Sequence, residues 1–207
     1  MSLAAQLAHG LDTLKLSAVP EVQKQLLDYV SLIEKWNRVY NLTAVREPEK
    51  MLFHHVLDSL AVAPHVDGTF TLDVGSGAGL PGIPLALLNP HSSVTLLDSS
   101  HKKSAFLRQA VIELELANVE VVTSRVETWE APRRFDVVIS RAFSDLAEFV
   151  SLAGRLCADG GVLAAMKGVY PYDELAQLPA GYRMEKAISL AVPGLRAERH
   201  LVLIRAK

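Results

Sequence analysis

The 207-residue sequence predicts an α/β fold in which a mostly parallel sheet is covered by helices on both faces. Its first third has the pattern of helices, its remainder alternates short apolar runs with helical stretches, and a glycine-rich loop directly follows the first apolar run. The residues are 50% hydrophobic and 21% charged, so a chain of this length can bury a sizeable core. We therefore expect one compact unit that carries a helical appendage.

The appendage is predicted to be an N-terminal helical extension without strands, residues 1–65. Between Pro20 and Trp36, apolar residues recur every three or four positions, as they do on one face of an amphipathic helix. A second helix is predicted from Pro48 to about Val62. The α/β part is predicted to comprise residues 66–207.

From Phe70 onwards, short apolar runs predict strands that are joined by helices. The first five predicted strands are Phe70–Val74, Val94–Asp98, Val119–Thr123, Phe135–Ser140 and Val162–Met166. The helices between them are predicted at residues 81–89, 102–116 and 144–157. The chain ends on two further strand patterns without a helix between them, Tyr182–Ala191 and Arg199–Ala206. These predict an antiparallel hairpin at the edge of a seven-stranded sheet.

Composition and charge exclude several classes of protein. The net charge of −2 and the pI of about 6.4 differ from those of proteins that hold naked nucleic acid mainly through phosphate contacts. The apolar runs are too short for a membrane span and the N-terminus lacks a secretory signal, so we expect a cytoplasmic protein without membrane contact. The single cysteine, Cys157, can form neither an internal disulfide nor a thiolate metal site.

The glycine-rich loop Asp73-Val-Gly75-Ser-Gly77-Ala-Gly79 lies between a predicted strand and a predicted helix, as a nucleotide-binding loop does. Glycines there permit positive φ angles and let a ligand approach the backbone. Gly77, Gly79 and Gly82 also satisfy the dinucleotide pattern G-x-G-x-x-G. Taken alone, the loop predicts a nucleotide-like cofactor without deciding which one.

Two neighbouring features favour S-adenosylmethionine as that cofactor. Pro81 and Pro84 remove N–H donors from the start of the helix that would hold a pyrophosphate, and S-adenosylmethionine has none. Asp73 can approach the ammonium of the cofactor's methionine, at a place where a pyrophosphate would be repelled. Asp98 ends the second strand and is expected to accept hydrogen bonds from the ribose of either cofactor. With the antiparallel edge hairpin, these features predict the Rossmann-like class I methyltransferase fold.

Residues after the third and fourth strands are predicted to complete the site. Val126 is expected to pack on the adenine, and Glu127 to orient that segment. Methyltransferases of this fold usually contact the substrate from the end of the fourth strand, which here reads Ser140-Arg141-Ala142-Phe143. This segment lacks the Asn/Asp-Pro-Pro-aromatic motif of adenine-amine methylation, and Cys157 lies too far along the chain for a C5-methylating nucleophile, so we expect it in the core.

A ring nitrogen that carries an available lone pair remains a suitable methyl acceptor, because it needs alignment but no general base. Arg141 and Lys167 each stand at the carboxyl end of a predicted strand and are predicted to act in catalysis by positioning a phosphate or the edge of a guanine. His54 with Asp58 supplies only two potential ligands, so no metal site is predicted.

Motifs along most of the chain resemble those of a known family. They are Trp36-Asn37, Tyr40-Asn41-Leu42-Thr43, Arg46, His54, Asp58-Ser59, the loop from Asp73 to Pro84, Leu97-Asp98-Ser99, Lys102-Lys103, Ser140-Arg141-Ala142 and Lys167-Gly168. On these motifs the chain, over roughly residues 20–207, resembles the glucose-inhibited division protein B family. Lys103 stands where that family often has arginine, which argues against a bidentate contact there.

The resemblance implies an enzyme that uses S-adenosylmethionine to methylate N7 of a guanine in 16S rRNA, near the decoding region of the small ribosomal subunit. We also expect the protein to be a monomer. By the family pattern, cofactor contacts fall on Gly75, Leu80, Val126, Glu127 and Arg141. A pre-formed ribosomal particle supplies shape and many contacts, which reconciles this substrate with the acidic pI. Two alternatives stay open: a small-molecule or protein methyltransferase, and a non-catalytic cofactor-binding module that associates with ribosomes.

Overall fold

The computed structural model describes residues 1–143 and 145–207, in which seven strands form one sheet. The strands are β1 (Phe70–Val74), β2 (Ser93–Asp98), β3 (Val119–Thr123), β4 (Phe135–Ser140), β5 (Cys157–Lys167), β6 (Tyr182–Ser189) and β7 (His200–Ala206). Their order is β3-β2-β1-β4-β5-β7-β6, with β1 to β5 parallel and β7 antiparallel to both of its neighbours. The predicted α/β class, with its antiparallel edge hairpin, is confirmed.

The helices cover both faces of this sheet. They are α1 (Leu3–Thr13), α2 (Pro20–Tyr40), α3 (Pro48–Met51), α4 (Asp58–Leu60), α5 (Gly82–Leu88), α6 (His101–Glu113), α7 (Leu146–Ala153) and α8 (Tyr172–Ala176). A π-helical segment, Leu52–Leu57, joins α3 directly to α4. The predicted helix at residues 144–157 corresponds to α7, which begins at Leu146 because Asp145 is its extended N-cap and accepts the backbone N–H of Glu148. Ser144 lies outside the described residues. No helix in the described part of the chain is both long enough and apolar enough to cross a membrane.

Strand β5 differs most from its prediction, because it begins at Cys157 rather than at Val162. Its first half contains Gly160, whose φ of +76° interrupts the regular extended backbone, and its pairing with β4 shifts register. Cys157 is therefore a strand residue and is half-buried, where burial chiefly raises the pKa of its thiol to about 11. A thiol with that pKa stays protonated at neutral pH.

The N-terminal helices pack on one face of the sheet and share its core. Side chains of β2, β4 and β5 that point to this face belong to the same apolar cluster as Leu7 of α1 and Leu26 and Ile33 of α2. The alternate side chains of the strands point to the other face, where Phe149 of α7 covers them. Tyr29 of α2 is fully buried, and its hydroxyl donates a hydrogen bond to the carbonyl of Ala78 in the glycine-rich loop. The first helices thus support the loop directly.

The carboxyl ends of β1 to β5 meet at one edge of the sheet, as parallel pairing requires. Strand β7 runs the other way and therefore begins at the same edge, where His200 pairs with Lys167 at the end of β5. The segment before His200 consequently joins the loops that follow β1 to β5. This edge is where the architecture gathers side chains from distant parts of the sequence.

Candidate active site

The glycine-rich loop leaves β1 in a backbone conformation that its first glycine requires. Gly75 has a φ of +71°, and a Cβ added to it would lie only 2.7 Å from the Cβ of Ala142, after β4. The backbone N–H groups of Gly75 and Ser76 both donate to the carbonyl of Leu97 in β2, at 2.8 and 3.1 Å. The loop therefore turns tightly between the ends of β2 and β4, and only a residue without a side chain fits at Gly75.

A pocket of about 250 Å³ opens beside this turn, and we call it the glycine-loop pocket. Four of the predicted cofactor residues line it: Gly75, Asp98, Val126 and Glu127. Its remaining lining residues are Val74, Leu97, Ser99, Ser124, Arg125, Ala142, Phe143, Glu148 and Leu152. Apolar side chains suit the flat base of a nucleoside, and the carboxylate of Asp98 at the edge of the pocket suits the hydroxyl donors of its ribose.

Asp98 is held rigidly at the edge of the glycine-loop pocket. One of its carboxylate oxygens accepts the backbone N–H of Gly77 at 2.8 Å, and the other accepts that of Ser100 at 2.8 Å. Each carboxylate oxygen has a second lone pair, so both can still accept a hydroxyl. Gly77 thus contributes by fixing Asp98, while Gly79 and the buried Leu80 lie against the core behind the pocket.

Asp73 is fully buried and lies behind the same loop. Its Oδ2 accepts the backbone N–H of Gly82 at 2.9 Å, whereas its Oδ1 has no hydrogen-bond partner among the described residues. Burial is the main cause that raises the pKa of this carboxyl from its usual 3.8 to about 7, and the Gly82 hydrogen bond opposes the rise. An unsatisfied buried oxygen of this kind is costly unless a donor reaches it.

The raised pKa of Asp73 makes a prediction about stability. The folded protein holds a proton between about pH 4 and 7 that the unfolded chain releases, so wild-type stability should fall with rising pH across that window and level off above it. An Asp73→Asn variant lacks this contribution. Urea unfolding measures the free energy of unfolding of both proteins. From about pH 4 to pH 7, we expect the value for the wild type to fall by a few kcal/mol relative to the value for Asp73→Asn. A difference that stays constant with pH would contradict the assignment.

A second pocket, of about 350 Å³, opens on the other side of the β4 end, and we call it the arginine pocket. Its lining residues are Val45, His54, His55, Asp58, Arg141, Met166, Lys167, Gly168 and Arg199. Asp58, whose side chain is only 2% exposed, accepts from Nη1 of Arg141 at 3.2 Å and from Nε of Arg199 at 3.0 Å. Asp58 therefore holds two guanidinium groups side by side at the pocket wall.

Ser140 determines which pocket the next two residues reach. Its hydroxyl donates to the carbonyl of Val74 in β1 at 2.7 Å and accepts the backbone N–H of Ala142 at 3.1 Å. The turn that results places Ala142 in the glycine-loop pocket and Arg141 in the arginine pocket. Adjacent residues of one turn thus separate the two pockets.

The π-helical segment supplies the floor of the arginine pocket. The carbonyl of His54 in this segment accepts a hydrogen bond from Nη1 of Arg141 at 3.1 Å. Nε2 of the buried His55 lies 2.8 Å from Oγ1 of Thr43, and burial, followed by the nearby Arg141 charge, lowers the pKa of His55 to about 4. His55 is therefore neutral at neutral pH. In the described ranges no three His, Cys, Asp or Glu side chains lie close enough to hold a metal ion.

Asn37 of α2 and Thr43, the last residue of the Asn41-Leu42-Thr43 motif, fix the loop over this pocket. The side chain of Asn37 accepts the backbone N–H of Thr43 at 2.9 Å and donates to the carbonyl of Val45 at 3.1 Å. Thr43 in turn contacts His55, so α2, the loop and the π-helical segment form one hydrogen-bonded unit. Asn37 and Thr43 together thus hold the wall of the pocket in place.

Comparison with known proteins identifies the family. The family described as rRNA small subunit methyltransferase G (GidB) matches residues 22–202. The chain belongs to this family. Proteins named ribosomal RNA small subunit methyltransferase G are 59% identical in Nitrosospira multiformis, over 99% of this chain and 98% of theirs, and 53% identical in Neisseria meningitidis, over 99% of each chain.

Solved structures share the fold of this methyltransferase G family member at much lower identity. The O-methyltransferase TomG from Streptomyces achromogenes, in complex with SAM, has a TM-score of 0.57 at 19% identity and covers 86% of this chain and 89% of its own. TYW2 from Pyrococcus horikoshii, in complex with MeSAdo, has a TM-score of 0.58 at 13% identity, over 73% of this chain and 62% of its own. Both likenesses support the class I methyltransferase architecture.

Two residues of the GidB-family site were missed from the sequence. Arg199 reaches Asp58 although 141 positions separate them, and Glu174 pairs through Oε2 with Nζ of Lys167 at 2.8 Å. Oε2 of Glu174 also accepts the backbone N–H of Leu146 at 2.9 Å. The predicted antiparallel β7 was a usable signal for Arg199, because it returns the preceding segment to the carboxyl edge of the sheet. The predicted contact of Lys167 with substrate stays a prediction.

Proposed function

We propose that this chain is an S-adenosylmethionine-dependent methyltransferase that methylates N7 of a specific guanine in 16S rRNA. The observation that carries the proposal is the turn Ser140-Arg141-Ala142, which lines a nucleoside-sized pocket on one side and a cationic pocket on the other. A donor and an acceptor held in these two pockets meet at that turn. Family membership supplies the substrate class, a small-subunit rRNA.

The residues of the glycine-loop pocket fit S-adenosylmethionine. Gly75 leaves the space that a side chain would fill, Asp98 presents acceptors for the ribose, and Val126 with Glu127 borders the place for the adenine. The orphaned Oδ1 of Asp73 offers a buried acceptor for the methionine ammonium, directly or through water. When bound, S-adenosylmethionine supplies a methyl group on a positively charged sulfur.

The residues of the arginine pocket fit a guanine that reacts through N7. This nitrogen carries a lone pair at neutral pH, so the site must align it and exclude water but need not remove a proton first. Arg141, Arg199 and Lys167 present donors for the guanine O6 or a flanking phosphate. Asp58 is already paired with both arginines and His55 is neutral, which leaves the pocket cationic.

The same proposal includes the cellular setting. We infer that the protein acts as a monomer on the small ribosomal subunit, in the cytoplasm, where that substrate is. A chain with a net negative charge gains little electrostatic attraction from naked RNA. A folded ribosomal particle instead presents a defined shape and several contacts at once.

Transfer of labelled methyl groups tests the proposal. Purified protein, labelled S-adenosylmethionine and small subunits from a strain that lacks the gene should give labelled RNA, with ribosomal proteins unlabelled. Naked rRNA, small subunits and whole ribosomes run in parallel identify the preferred substrate. Robust labelling of a metabolite or protein while RNA in every assembly state stays inert would overturn it. Cofactor binding without turnover on any ribosomal substrate would instead indicate a non-catalytic module.

A further inference from the structure

A pair of tyrosines, the half-buried Tyr170 and the exposed Tyr172, lies beside the arginine pocket and takes no part in the chemistry described so far. Tyr172, the first residue of α8, is 76% exposed, and its ring centroid lies 4.4 Å from that of Tyr170. Val169, which directly precedes Tyr170 in the chain, is 70% exposed. Large exposed apolar groups that lie together at the edge of a site usually mark a contact surface.

The position of this pair is fixed relative to the pocket. Tyr170 packs edge-on against His200, with ring centroids 5.5 Å apart at 87°, and His200 pairs in register with Lys167 of the pocket wall. The ion pair between Lys167 and Glu174 ties α8 to the end of β5. Tyr172 is therefore presented by a segment that is anchored at one end to His200 and at the other to Lys167 of the arginine pocket.

We propose that Tyr172, supported by Tyr170, forms a stacking platform for the RNA base next to the target guanine; the inference rests on the proposed rRNA substrate. A guanine that enters the pocket leaves its neighbour without a stacking partner, and an exposed aromatic ring at the rim replaces that partner. Asp173 and Glu174 follow Tyr172 directly in sequence, which disfavours phosphate and favours the uncharged face of a base. In this proposal the phosphates are bound by Arg141, Arg199 and Lys167 in the pocket.

Steady-state kinetics of three variants test this platform. Tyr172→Ala should raise KM for small subunits about tenfold, as loss of one stacked base does, while KM for S-adenosylmethionine and kcat at saturating subunits stay within about twofold. Tyr172→Phe should restore most of the affinity, because the ring is kept. Ile112→Ala is the matched control, since Ile112 is 68% exposed on α6 and lines neither pocket.

Each outcome decides for or against the platform. Unchanged KM for subunits in Tyr172→Ala, equal losses in Tyr172→Ala and Tyr172→Phe, or a parallel rise in KM for S-adenosylmethionine would overturn it. Co-sedimentation of the same variants with small subunits gives a second measure that needs no turnover. Wild-type protein that binds subunits through Tyr172 but transfers no methyl group would refute the proposed function and leave the platform standing.

Discussion

Replacing Arg141 by alanine should lower the rate of methyl transfer about a hundredfold while the protein stays folded. Arg141 lines the arginine pocket next to Ala142, which lines the glycine-loop pocket, and its guanidinium is oriented by Asp58 and by the carbonyl of His54. Its removal takes away a donor that positions the acceptor, and misplacement of a reacting atom by about 1 Å is enough for a loss of this size. The measurement is kcat with small subunits at saturating cofactor.

The stability cost of Arg141→Ala should be much smaller than the effect on activity. Asp58 keeps its hydrogen bond from Arg199, so one of its oxygens stays paired and we expect a loss of about 1–3 kcal/mol. Arg141→Lys keeps the charge without the planar fork and should fall between alanine and wild type. Arg38→Ala removes a 73%-exposed arginine of α2 and is the control. Wild-type turnover in Arg141→Ala would refute the role of Arg141.

Replacing Gly75 by alanine should weaken binding of S-adenosylmethionine at least tenfold. The added Cβ would lie 2.7 Å from the Cβ of Ala142, so the loop and the end of β4 must move apart, and both border the glycine-loop pocket. The φ of +71° adds strain of about 1–3 kcal/mol to the folded state. Isothermal titration with S-adenosylmethionine measures the affinity, and chemical unfolding measures the strain.

Gly160→Ala separates the effect of backbone strain at a positive φ from the effect of the contact between the added Cβ and Ala142. Gly160 has a φ of +76° but its added Cβ would meet nothing within 4 Å, and it lies at the start of β5, outside the glycine-loop pocket. This variant should lose stability to a similar degree and keep its affinity for S-adenosylmethionine. Equal affinities of Gly75→Ala and wild type would show that the turn at Gly75 does not shape the cofactor site.

Most of the sheet was predictable because its strands are short apolar runs between clear helices. The bounds of β1, β3 and β4 agree with the prediction, since each is a short, largely apolar run that ends at, or directly before, a polar or glycine residue. The start of β5 was missed because Asp159-Gly160-Gly161 has the composition of a turn. Helix α8 was missed because it has only five residues and follows Pro171, too short for a periodic pattern.

The candidate site was predictable where it depends on local order and not where it depends on distant contacts. Gly75 follows β1 and Asp98 ends β2, so their meeting at the sheet edge follows from the parallel pairing of these strands. The pairing of Asp58 with Arg141 and Arg199 joins three separate parts of the chain, which only the folded structure reveals. The π-helical segment that contains His54 likewise depends on backbone hydrogen bonds that no side-chain pattern encodes.

The position of the transferred methyl group tests the central claim most directly. After reaction with small subunits from a strain that lacks the gene, the rRNA is digested and its modified nucleoside and fragment are identified by mass spectrometry. The two-pocket arrangement predicts N7-methylguanosine at a single position of 16S rRNA, and its loss in Arg141→Ala. A methyl group on a ribose hydroxyl, on an exocyclic amine or on a ribosomal protein would contradict it.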